Sequence, residues 1–504
     1  MGNQTHSFKQ SLSLFDGTMI VAGSMIGSGI FIVSADMTRH VGSSGWLIAL
    51  WVLTGIMTIF AAITYGELSS MFPRAGGQYV YLKEAYNPLT GFLYGWSFFS
   101  VIQTGTIAAV GVAFSKFAGY FIPALTIDDK NLLFQLAWLK IYPAQLLSIA
   151  LIIFLTYINT RGVKEGKLVQ TSFTIVKLFS IFGLIVAGLL FAFNADIWNA
   201  NWATGFDLKF TEAVRDEPGG SQAGWSLFKE SPALIFTIGL ISSALVGSVF
   251  SSVAWENVTF IASEIKNPKR NVGLSLLLGT VIVTVVYVLM NIMYIAVMPL
   301  VPEATTAVAA YPTEFNQYPN IAFARQDRVA TASAFNIFGD YGAAIIAVMI
   351  MISTFGCNNG LILSGARVFY TMAQDKLFLP KAANLNKNSV PQWALWAQCI
   401  WASILCLSGQ YGILLDYVVF ITVVFYILTI YGVFKLRKER PDAERPYKAL
   451  GYPVIPAIYI LIALVMCVGL LYAKPVTSLA GLVIALLGIP VYYFYKRKNQ
   501  VLED

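Results

Sequence analysis

The sequence predicts an all-α polytopic membrane protein with twelve transmembrane helices. Of its 504 residues, 57% are hydrophobic and only 12% are charged, whereas soluble domains carry about 25% charged residues. The mean hydropathy is +0.68. Apolar segments long enough to cross a bilayer, which takes about 20 residues, recur along the chain. They are predicted at 14–38, 44–69, 88–122, 141–160, 168–194, 232–262, 272–299, 340–370, 393–409, 411–435, 451–473 and 476–495.

The first of these segments contains a stretch that is unsuited to a continuous helix. Gly23 to Phe31 reads GSMIGSGIF, with three glycines and two serines in nine positions. Glycine costs about 1 kcal/mol relative to alanine inside a helix, and unwound backbone at membrane depth survives only against protein or a water-filled cavity. The pattern predicts a break at Gly27-Ser28-Gly29 that presents main-chain groups to a ligand. Close helix packing through small residues is the alternative interpretation.

A second stretch of the same kind lies in the sixth segment, some 220 residues later. Gly247 to Val253 reads GSVFSSV and shares with the first stretch a Gly-Ser pair followed by a phenylalanine. Paired interruptions at corresponding positions of two halves are typical of the binding site in inverted-repeat transporters. The sequence therefore indicates that the two breaks together form a binding site.

The distribution of basic residues predicts the orientation. Of the 33 Lys and Arg residues, 21 fall in loops and tails on the side of the N-terminus and nine on the opposite side. Cytoplasmic loops carry such an excess, so both termini are expected in the cytoplasm of a multi-pass plasma-membrane protein. The aromatic segment 71–86, before the third span, is expected at the interface or as a re-entrant segment.

Two charged residues lie deep in apolar segments. Lys177 is about nine residues into the fifth segment, roughly 13 Å deep, and Glu256 follows the second break by one turn. Intramembrane ionisable residues are functional by default. The alternatives are a lysine paired with carbonyl oxygens for stability only, and a glutamate held by hydroxyls or water. Possible inner-gate ion pairs would join Asp16, Glu67 and Glu264 to Arg74, Lys266 and Arg270.

Composition and motifs exclude several other classes of protein. With two histidines and four cysteines, we expect no metal site, no cofactor and no disulfide scaffold, and nothing indicates nucleic-acid binding. The GxxxxGK[ST] motif of ATP-driven pumps is absent, and no nucleophile–base constellation of an enzyme can be placed. An ion channel and a nutrient sensor stay as less favoured alternatives: a channel would need a pore repeated around an axis, and a sensor would need a signalling domain larger than the tails 1–13 and 496–504.

Several strings, in this order and spacing, resemble amino-acid transporters of the amino acid–polyamine–organocation superfamily. The similarity is greatest to bacterial relatives of the L-type amino-acid transporter light chains. The strings that carry the resemblance are Ile26-Gly-Ser-Gly-Ile-Phe31, Tyr65-Gly-Glu-Leu68, Phe72-Pro-Arg-Ala-Gly-Gly-Gln-Tyr79, Asn159-Thr-Arg-Gly162, Glu264-Ile-Lys-Asn-Pro-Lys-Arg-Asn271, Phe355-Gly-Cys-Asn-Asn-Gly360, Gly365-Ala-Arg-Val-Phe-Tyr370 and Arg445-Pro-Tyr447.

The resemblance implies a LeuT-like fold with a 5+5 inverted repeat and discontinuous helices 1 and 6. The first repeat would be 1–194, the second 232–435, and 451–495 would form two accessory helices of a single transporter domain. Ser28 and Gly29 would hold a substrate carboxylate at a helix N-terminus. Freed carbonyl oxygens would accept the substrate ammonium. The candidate substrate-binding residues are Met25, Ile26, Ser28, Gly29, Phe250 and Val253.

The same resemblance suggests roles in gating and coupling. Phe250 would gate the substrate, and Lys177 would replace the sodium ion that sodium-dependent members hold between spans 1 and 8. Glu256 departs from the uncharged residue usual in the L-type pattern, whereas arginine–agmatine and polyamine exchangers carry glutamate there. It would gate, carry a proton or counter a cationic substrate. Weaker candidates for lining the site are Asn358, Asn359, Gly360 and Tyr417.

The expected function is secondary active transport of amino acids by alternating access. Transport would be exchange or proton-coupled and sodium-independent, with small or large neutral L-amino acids as substrates. The alternative is an antiporter of cationic amino acids or polyamines, motivated by Glu256. Animal light chains join a heavy chain through a cysteine in the span 3–4 loop. Residues 123–140 hold no cysteine, so no disulfide-linked heavy chain is expected, and a bacterial inner-membrane location fits.

Overall fold

The structure is a computed structural model. It describes residues 10–501, apart from 128, 137–138, 204, 214–224, 231–232, 301–319 and 408–410. Long helices dominate it, and two antiparallel hairpins lie in connections between helices: β1 (Phe134–Leu136) with β2 (Leu139–Ile141), and β3 (Lys209–Ala213) with β4 (Trp225–Glu230).

Eighteen α-helices are assigned within the described residues. They are α1 (Leu14–Met25), α2 (Gly29–Val41), α3 (Ser44–Met71), α4 (Gln78–Ala85), α5 (Pro88–Ser97), α6 (Gln103–Phe121), α7 (Pro143–Arg161), α8 (Val163–Phe191), α9 (Ala195–Ala203), α10 (Leu234–Ser252), α11 (Asn257–Phe260), α12 (Pro268–Val297), α13 (Val329–Gln374), α14 (Gln392–Leu407), α15 (Tyr411–Glu439), α16 (Val454–Ala473), α17 (Pro475–Leu486) and α18 (Gly488–Val501). A π-helical turn, Phe98–Ile102, joins α5 to α6 in one continuous span.

The class of an all-α polytopic membrane protein is confirmed by the length and composition of these helices. Among the described residues, ten helices or continuous helical spans are long and apolar enough to cross a membrane, and the bent pair α1–α2 makes an eleventh. The predicted segment 393–409 corresponds to α14, which has only 16 residues, fewer than the roughly 20 that a bilayer requires. Length and composition therefore support up to eleven spans, one fewer than the twelve expected.

The first predicted break is present in the structure. Helix α1 starts with a capping box: the Asp16 carboxylate accepts a hydrogen bond from Ser13 N at 2.8 Å, and the Ser13 hydroxyl accepts one from Asp16 N at 3.3 Å. The helix ends at Met25, and α2 starts at Gly29 with its axis turned by 42°. The residues between them are the Ile26-Gly27-Ser28 link of the predicted stretch.

The second break follows α10. That helix ends at Ser252, and Ala254 has a φ of +68°, a left-handed conformation that costs a non-glycine residue energy. Helical structure resumes only in the short α11. The first broken helix packs on the second, since a β-carbon on Gly247 would lie 2.8 Å from Cβ of Val33 in α2.

Two predicted segments can be compared with the structure. The aromatic segment 71–86 contains α4, in which Tyr79 and Tyr81 are fully buried; its location at the interface or as a re-entrant segment stays a prediction. The span predicted at 340–370 lies within α13, which is interrupted at Gly339, where φ is +71° and ψ is −159°. The 46 residues of α13 are therefore two helical segments, and the second one, 340–374, agrees with the predicted span.

Candidate functional site

The link between α1 and α2 is buried in the protein, and it leads directly into the N-terminus of α2. Ser28 is the N-cap residue of α2 and is 1% exposed, and its carbonyl oxygen accepts the first helical bond from Phe31 N at 3.1 Å. The first N–H groups of a helix have no intrahelical acceptor and carry the positive end of its dipole. This end of α2 can therefore accept a carboxylate.

Gly29 is the point where the two broken helices meet. A β-carbon there would lie 2.9 Å from Cα of Ser251 and closer still to its side chain, so no larger residue fits without moving α10. Close helix packing, the alternative interpretation of these glycines, is therefore present between Gly29 and α10. It occurs at the break itself, so the same glycine that the sequence assigned to ligand binding also makes the contact with α10.

Tyr287 of α12 joins the two breaks. Its hydroxyl lies 3.0 Å from the Met25 carbonyl oxygen and 2.9 Å from that of Ser251. A tyrosine hydroxyl has one proton, so it donates to one of these oxygens at a time. The sequence analysis did not identify Tyr287. Its only signal is a hydroxyl in an apolar segment, which also fits ordinary packing.

The carbonyl oxygens expected to bind a substrate ammonium have protein partners in this structure. Met25 O accepts Gly27 N at 2.8 Å in addition to the Tyr287 hydroxyl, which uses both of its lone pairs. Phe250 O accepts Val253 N at 3.3 Å. The side chains of Phe250 and Val253 are 4% and 7% exposed. A ligand would thus have to displace a bond to reach Met25 O.

Lys177 of α8 lies against the first break. Its Nζ donates to the carbonyl oxygens of Gly23 at 2.7 Å and Ile26 at 2.8 Å, and it lies 3.3 Å from that of Ser353 in α13. Three acceptors match the three protons of an ammonium, and the C-terminal end of α1 is the negative end of a helix dipole. Within the described part of the chain, no carboxylate lies within 4 Å of this ammonium.

Glu256 lies in the turn between α10 and α11 and is 4% exposed. Tyr65, Trp255 and Tyr426 surround it as a ring cluster with centroid separations of 4.7 to 6.1 Å, and the Tyr426 hydroxyl is beside the carboxyl group. Among the described residues, Oε2 of Glu256 has no hydrogen-bond partner. An acidic group with a free oxygen thus lies within the second break itself, and not one turn beyond it as the sequence indicated.

Asn358 of α13, a weaker candidate, is fully buried, and neither its Oδ1 nor its Nδ2 has a hydrogen-bond partner in the described structure. Its neighbour Asn359 accepts a bond from Asn159 Nδ2 at 2.8 Å. Of these two amides, Asn358 therefore has hydrogen-bonding capacity left for water or a ligand.

The inner acidic residues form ion pairs, but with partners other than the expected ones. Glu264 pairs with Arg367 at 3.0 Å, with both side chains buried. Glu67 accepts two bonds from Arg437, at 2.9 and 2.6 Å. Asp16 instead caps α1. The expected pairing with nearby bases was wrong because α13 and α15 bring distant guanidinium groups to the same carboxylates. Arg74, Lys266 and Arg270 form none of the ion pairs found among the described residues.

An ion cluster lies at the opposite end of α2, and we call it the outer cluster because the sequence predicts that this end faces outward. Arg39 is 5% exposed and contacts Asp327 at 2.8 Å and the carbonyl oxygen of Ala322 at 2.7 Å. Lys116 of α6 approaches the same Asp327 at 3.7 Å. Burial raises the pKa of Asp327, but the charges of Arg39 and Lys116 outweigh burial and hold this pKa below its usual value. The sequence did not reveal this pair, which joins residues 288 positions apart.

Among the described residues, no group of three or more His, Cys, Asp and Glu side chains could hold a metal ion. Cys357, Cys399, Cys406 and Cys467 are buried free thiols. The arrangement can hold a zwitterion by main-chain groups between ion pairs at both ends, and it contains no evident catalytic constellation.

Comparison with known proteins agrees with this arrangement. Residues 12–494 match the family of amino acid permeases. The chain belongs to that family. Among its relatives, the b(0,+)-type amino acid transporter 1 of Mus musculus is 27% identical over 97% of this chain and 88% of its own length. The large neutral amino acids transporter small subunit 2 of Homo sapiens is 26% identical over 99% of this chain and 83% of its own length. This permease is thus an amino-acid transporter, not an enzyme.

Proposed function

We propose that this permease is a secondary active transporter that moves neutral L-amino acids by alternating access, without sodium, by exchange or proton coupling. The observation that carries the proposal is the ammonium of Lys177, bonded to the carbonyl oxygens of Gly23 and Ile26 where the first span unwinds. A cation is thus fixed at the break by the chain's own residues. The family match supports amino acids as the substrate class.

The proposed architecture is LeuT-like. The inverted repeats would be 1–194 and 232–435, with α14 as a short span that brings the total to twelve and 451–495 as accessory helices. The facing breaks after α1 and α10 support this arrangement, because discontinuous helices at equivalent positions are the sign of a central site in such transporters.

In the proposed substrate cradle, the N-terminus of α2 binds the carboxylate through the main chain of Ser28 and Gly29. The ammonium binds at the carbonyl oxygens of Met25, Phe250 and Val253, with Ile26 beside them, and Phe250 closes over the substrate. Met25 O would exchange the Tyr287 hydroxyl for the substrate ammonium. A zwitterion bound by the backbone needs no charged side chain, which is favourable because a charge at the bilayer centre costs at least about 2.5 kcal/mol.

The ammonium of Lys177 would permanently take the place of the sodium ion that sodium-dependent transporters of this fold bind. Its three contacts join α8 to the break after α1 and to α13. These contacts support either a fixed structural cation or a group that releases a proton when the break opens. Both versions make transport independent of sodium.

The test uses the purified protein in liposomes preloaded with one amino acid. Uptake of labelled alanine, leucine, arginine and lysine is measured with and without sodium and pH gradients. We expect uptake of neutral amino acids that is stimulated by an internal amino acid or by an inward proton gradient and is unchanged by sodium. Uptake that requires a sodium gradient would refute the role of Lys177.

A second candidate is an antiporter of cationic amino acids or polyamines. The free Oε2 of Glu256 favours it, because a buried carboxylate oxygen that has no partner among the described residues can receive a cationic side chain. One relative is named for large neutral amino acids and another is named b(0,+)-type, so both classes are tested in the same liposomes. We favour neutral substrates, with Glu256 as a gate or proton carrier.

The proposed setting is the bacterial inner membrane, with both termini in the cytoplasm, as the excess of Lys and Arg on the N-terminal side supports. The relative named as a small subunit raises the question of a partner chain. In this permease the segment 123–140 has no cysteine, and the four thiols are buried. We therefore propose that it works without a disulfide-linked heavy chain.

A further inference from the structure

An open groove on the surface of the protein lies apart from the proposed substrate cradle. It has a volume of about 590 Å³ and runs between the loop after α13, the helix α14 and the π-helical turn of the third span. Its rim is exposed: Leu379, Trp393 and Ile400 are 50%, 55% and 61% accessible. The residues that line it are Phe99, Leu379, Pro380, Lys381, Trp393, Trp396, Ala397, Ile400 and Trp401.

The groove has a charged mouth and an apolar interior. Lys381 is its only charged lining residue, and its Nζ lies 4.7 Å from the Trp393 ring centroid. Among the described residues, no carboxylate is within 4 Å of that ammonium. The mouth therefore carries a positive charge that no nearby carboxylate balances. The Lys381 ammonium makes a cation–π contact with the Trp393 ring, and the side of the ammonium that points away from the ring is open.

The depth of the groove matches a passage from the headgroup level into the hydrocarbon. Trp393 and Trp401 are eight residues apart on α14, which is about 12 Å along the helix. The mouth lies at the loop that carries Lys381 and Lys387, on the side where basic residues are in excess. Tryptophan and lysine are typical of the membrane interface. The inner end is closed by Trp401, whose Nε1 donates to the Ser100 carbonyl at 2.9 Å.

We propose that this groove binds an anionic phospholipid of the leaflet on the N-terminal side. One acyl chain lies between Trp393, Trp396 and Ile400, and the phosphodiester is bound by Lys381. The positive mouth favours an anionic headgroup over a zwitterionic one. A second copy of the chain is a poor occupant, because a symmetric contact through this face would bring two Lys381 ammonium groups together.

The first experiment measures lipid binding to the purified full-length protein by native mass spectrometry. Phosphatidylglycerol and phosphatidylcholine with identical chains are titrated against wild type, Lys381→Gln and the control Lys387→Gln, which alters an exposed lysine of the same loop outside the groove. We expect a preference for phosphatidylglycerol that falls roughly fivefold in Lys381→Gln only, the factor that corresponds to about 1 kcal/mol per basic residue near an anionic surface. Equal losses in both variants would overturn the proposal, since they indicate a diffuse basic loop.

The second experiment locates the acyl chain by quenching of tryptophan fluorescence with bromine-labelled phosphatidylglycerol. The double variant Trp393→Phe and Trp396→Phe is expected to lose a larger share of the quenchable emission than the matched change Trp198→Phe and Trp202→Phe. Ala397→Phe, which narrows the groove, is expected to lower the binding of both lipids. Equal losses from the two tryptophan pairs would overturn the proposal, as would a stable dimer in light scattering that hides Trp393.

Discussion

The Nζ of Lys177 lies 2.7 Å from the carbonyl oxygen of Gly23, in the last turn of α1 before the first span unwinds. The same ammonium reaches Ile26 O beyond the helix end and Ser353 O in α13. One side chain thus binds carbonyl groups of the end of α1 and of the link that follows it, at a buried position where an unsatisfied backbone group within the membrane would cost several kcal/mol. Removal of the charge should therefore affect the break more than the rest of α8.

For Lys177→Met, which keeps much of the length and removes the charge, we expect at least a tenfold loss of amino-acid uptake in liposomes. The reason is that two buried carbonyl oxygens lose a charged donor, at a cost of about 1.5–3 kcal/mol for each such bond. Ser180→Ala is the control and should retain uptake: it lies three residues later on the same helix, is half-buried, and donates its hydroxyl to the Val176 carbonyl oxygen of that helix. Wild-type rates in Lys177→Met would show that the lysine has no transport role.

Gly29 provides a steric test of the main-chain cradle. For Gly29→Ala we expect loss of substrate binding and a stability loss of about 1–3 kcal/mol, the usual cost of overpacking, because the new β-carbon meets the Ser251 backbone. Gly183→Ala is the matched control, since nothing lies within 4 Å of its β-carbon position. Thermal unfolding with and without substrate measures both effects.

A second variant separates packing from ligand binding at the same break. Ser28→Ala removes a side chain but keeps the backbone N–H group. If the cradle is made by the main chain, Ser28→Ala should bind substrate within about threefold of wild type, whereas Gly29→Ala should not bind it. A complete loss in Ser28→Ala would assign the carboxylate to the serine hydroxyl and contradict the backbone cradle.

Tyr287→Phe tests competition between a protein hydroxyl and the substrate ammonium. The variant removes the hydroxyl that Met25 O and Ser251 O share, so the ligand-free protein should unfold at a lower temperature, with a loss of about 1–3 kcal/mol. The substrate no longer has to displace a bond, so its affinity should rise and its stabilising effect should grow. A fall in affinity would mean that the hydroxyl contacts the substrate directly and does not compete with it.

The sequence predicted the positions of both breaks because glycine and serine are unusual in the middle of apolar helices. It also singled out Lys177, which is buried against the first break, since a single charge stands out in an apolar run. These signals are local, so the chain alone is enough to find them. The assigned roles of Ser28, Gly29 and Phe250 in substrate binding stay predictions.

The sequence could not predict which carboxylates pair with which guanidinium groups. Glu264 and Arg367 are 103 residues apart, and Arg39 and Asp327 are 288 apart, so their pairing depends on how the helices pack. The role of Tyr287 could not be predicted for the same reason, because its two acceptors are 36 and 262 residues away. A residue whose contacts come from neighbours in space, and not in sequence, produces no periodic pattern in a single sequence.

The outer cluster of Arg39, Lys116 and Asp327 should hold the outer side of the transporter closed. For Asp327→Asn we expect faster hydrogen exchange in 320–328, since α2 loses its charged contact with that segment. Asp375→Asn is the control, because it breaks an ion pair of similar length, to Lys83 at 2.7 Å, at the opposite end of α13 from Asp327. Unchanged exchange in Asp327→Asn would mean that the other contacts of Arg39, including that with Ala322, close this side without Asp327.

The pH dependence of this outer cluster follows from the lowered pKa of Asp327. Because the folded-state pKa lies below the ordinary value of 3.8, the ionised carboxylate stabilises the folded state above that value. The contribution is lost only as the pH falls below it. Between about pH 5 and pH 8 the pair should therefore keep constant strength, and Asp327→Asn should accelerate exchange by the same factor throughout. A factor that varies over this range would contradict the assignment.

Glu256→Gln distinguishes the three roles of the carboxylate within the second break. If it balances a cationic side chain, the variant should lose arginine, lysine or polyamine binding by roughly tenfold or more relative to alanine and leucine, since a charge-assisted bond contributes about 1.5–3 kcal/mol. If it gates or carries a proton, all substrates should slow alike, and a proton carrier should also lose pH dependence.

We expect the uniform loss from Glu256→Gln, because Glu256 is enclosed by Tyr65, Trp255 and Tyr426 below the proposed cradle. A substrate side chain would have to pass those rings to reach it. Tyr426→Phe is the companion variant, since its hydroxyl is beside the carboxyl group. If that hydroxyl and the carboxylate close the inner side together, the single and double variants should lose uptake to a similar extent. A wild type that carries only cationic substrates, and loses that selectivity in Glu256→Gln, would establish the antiporter instead.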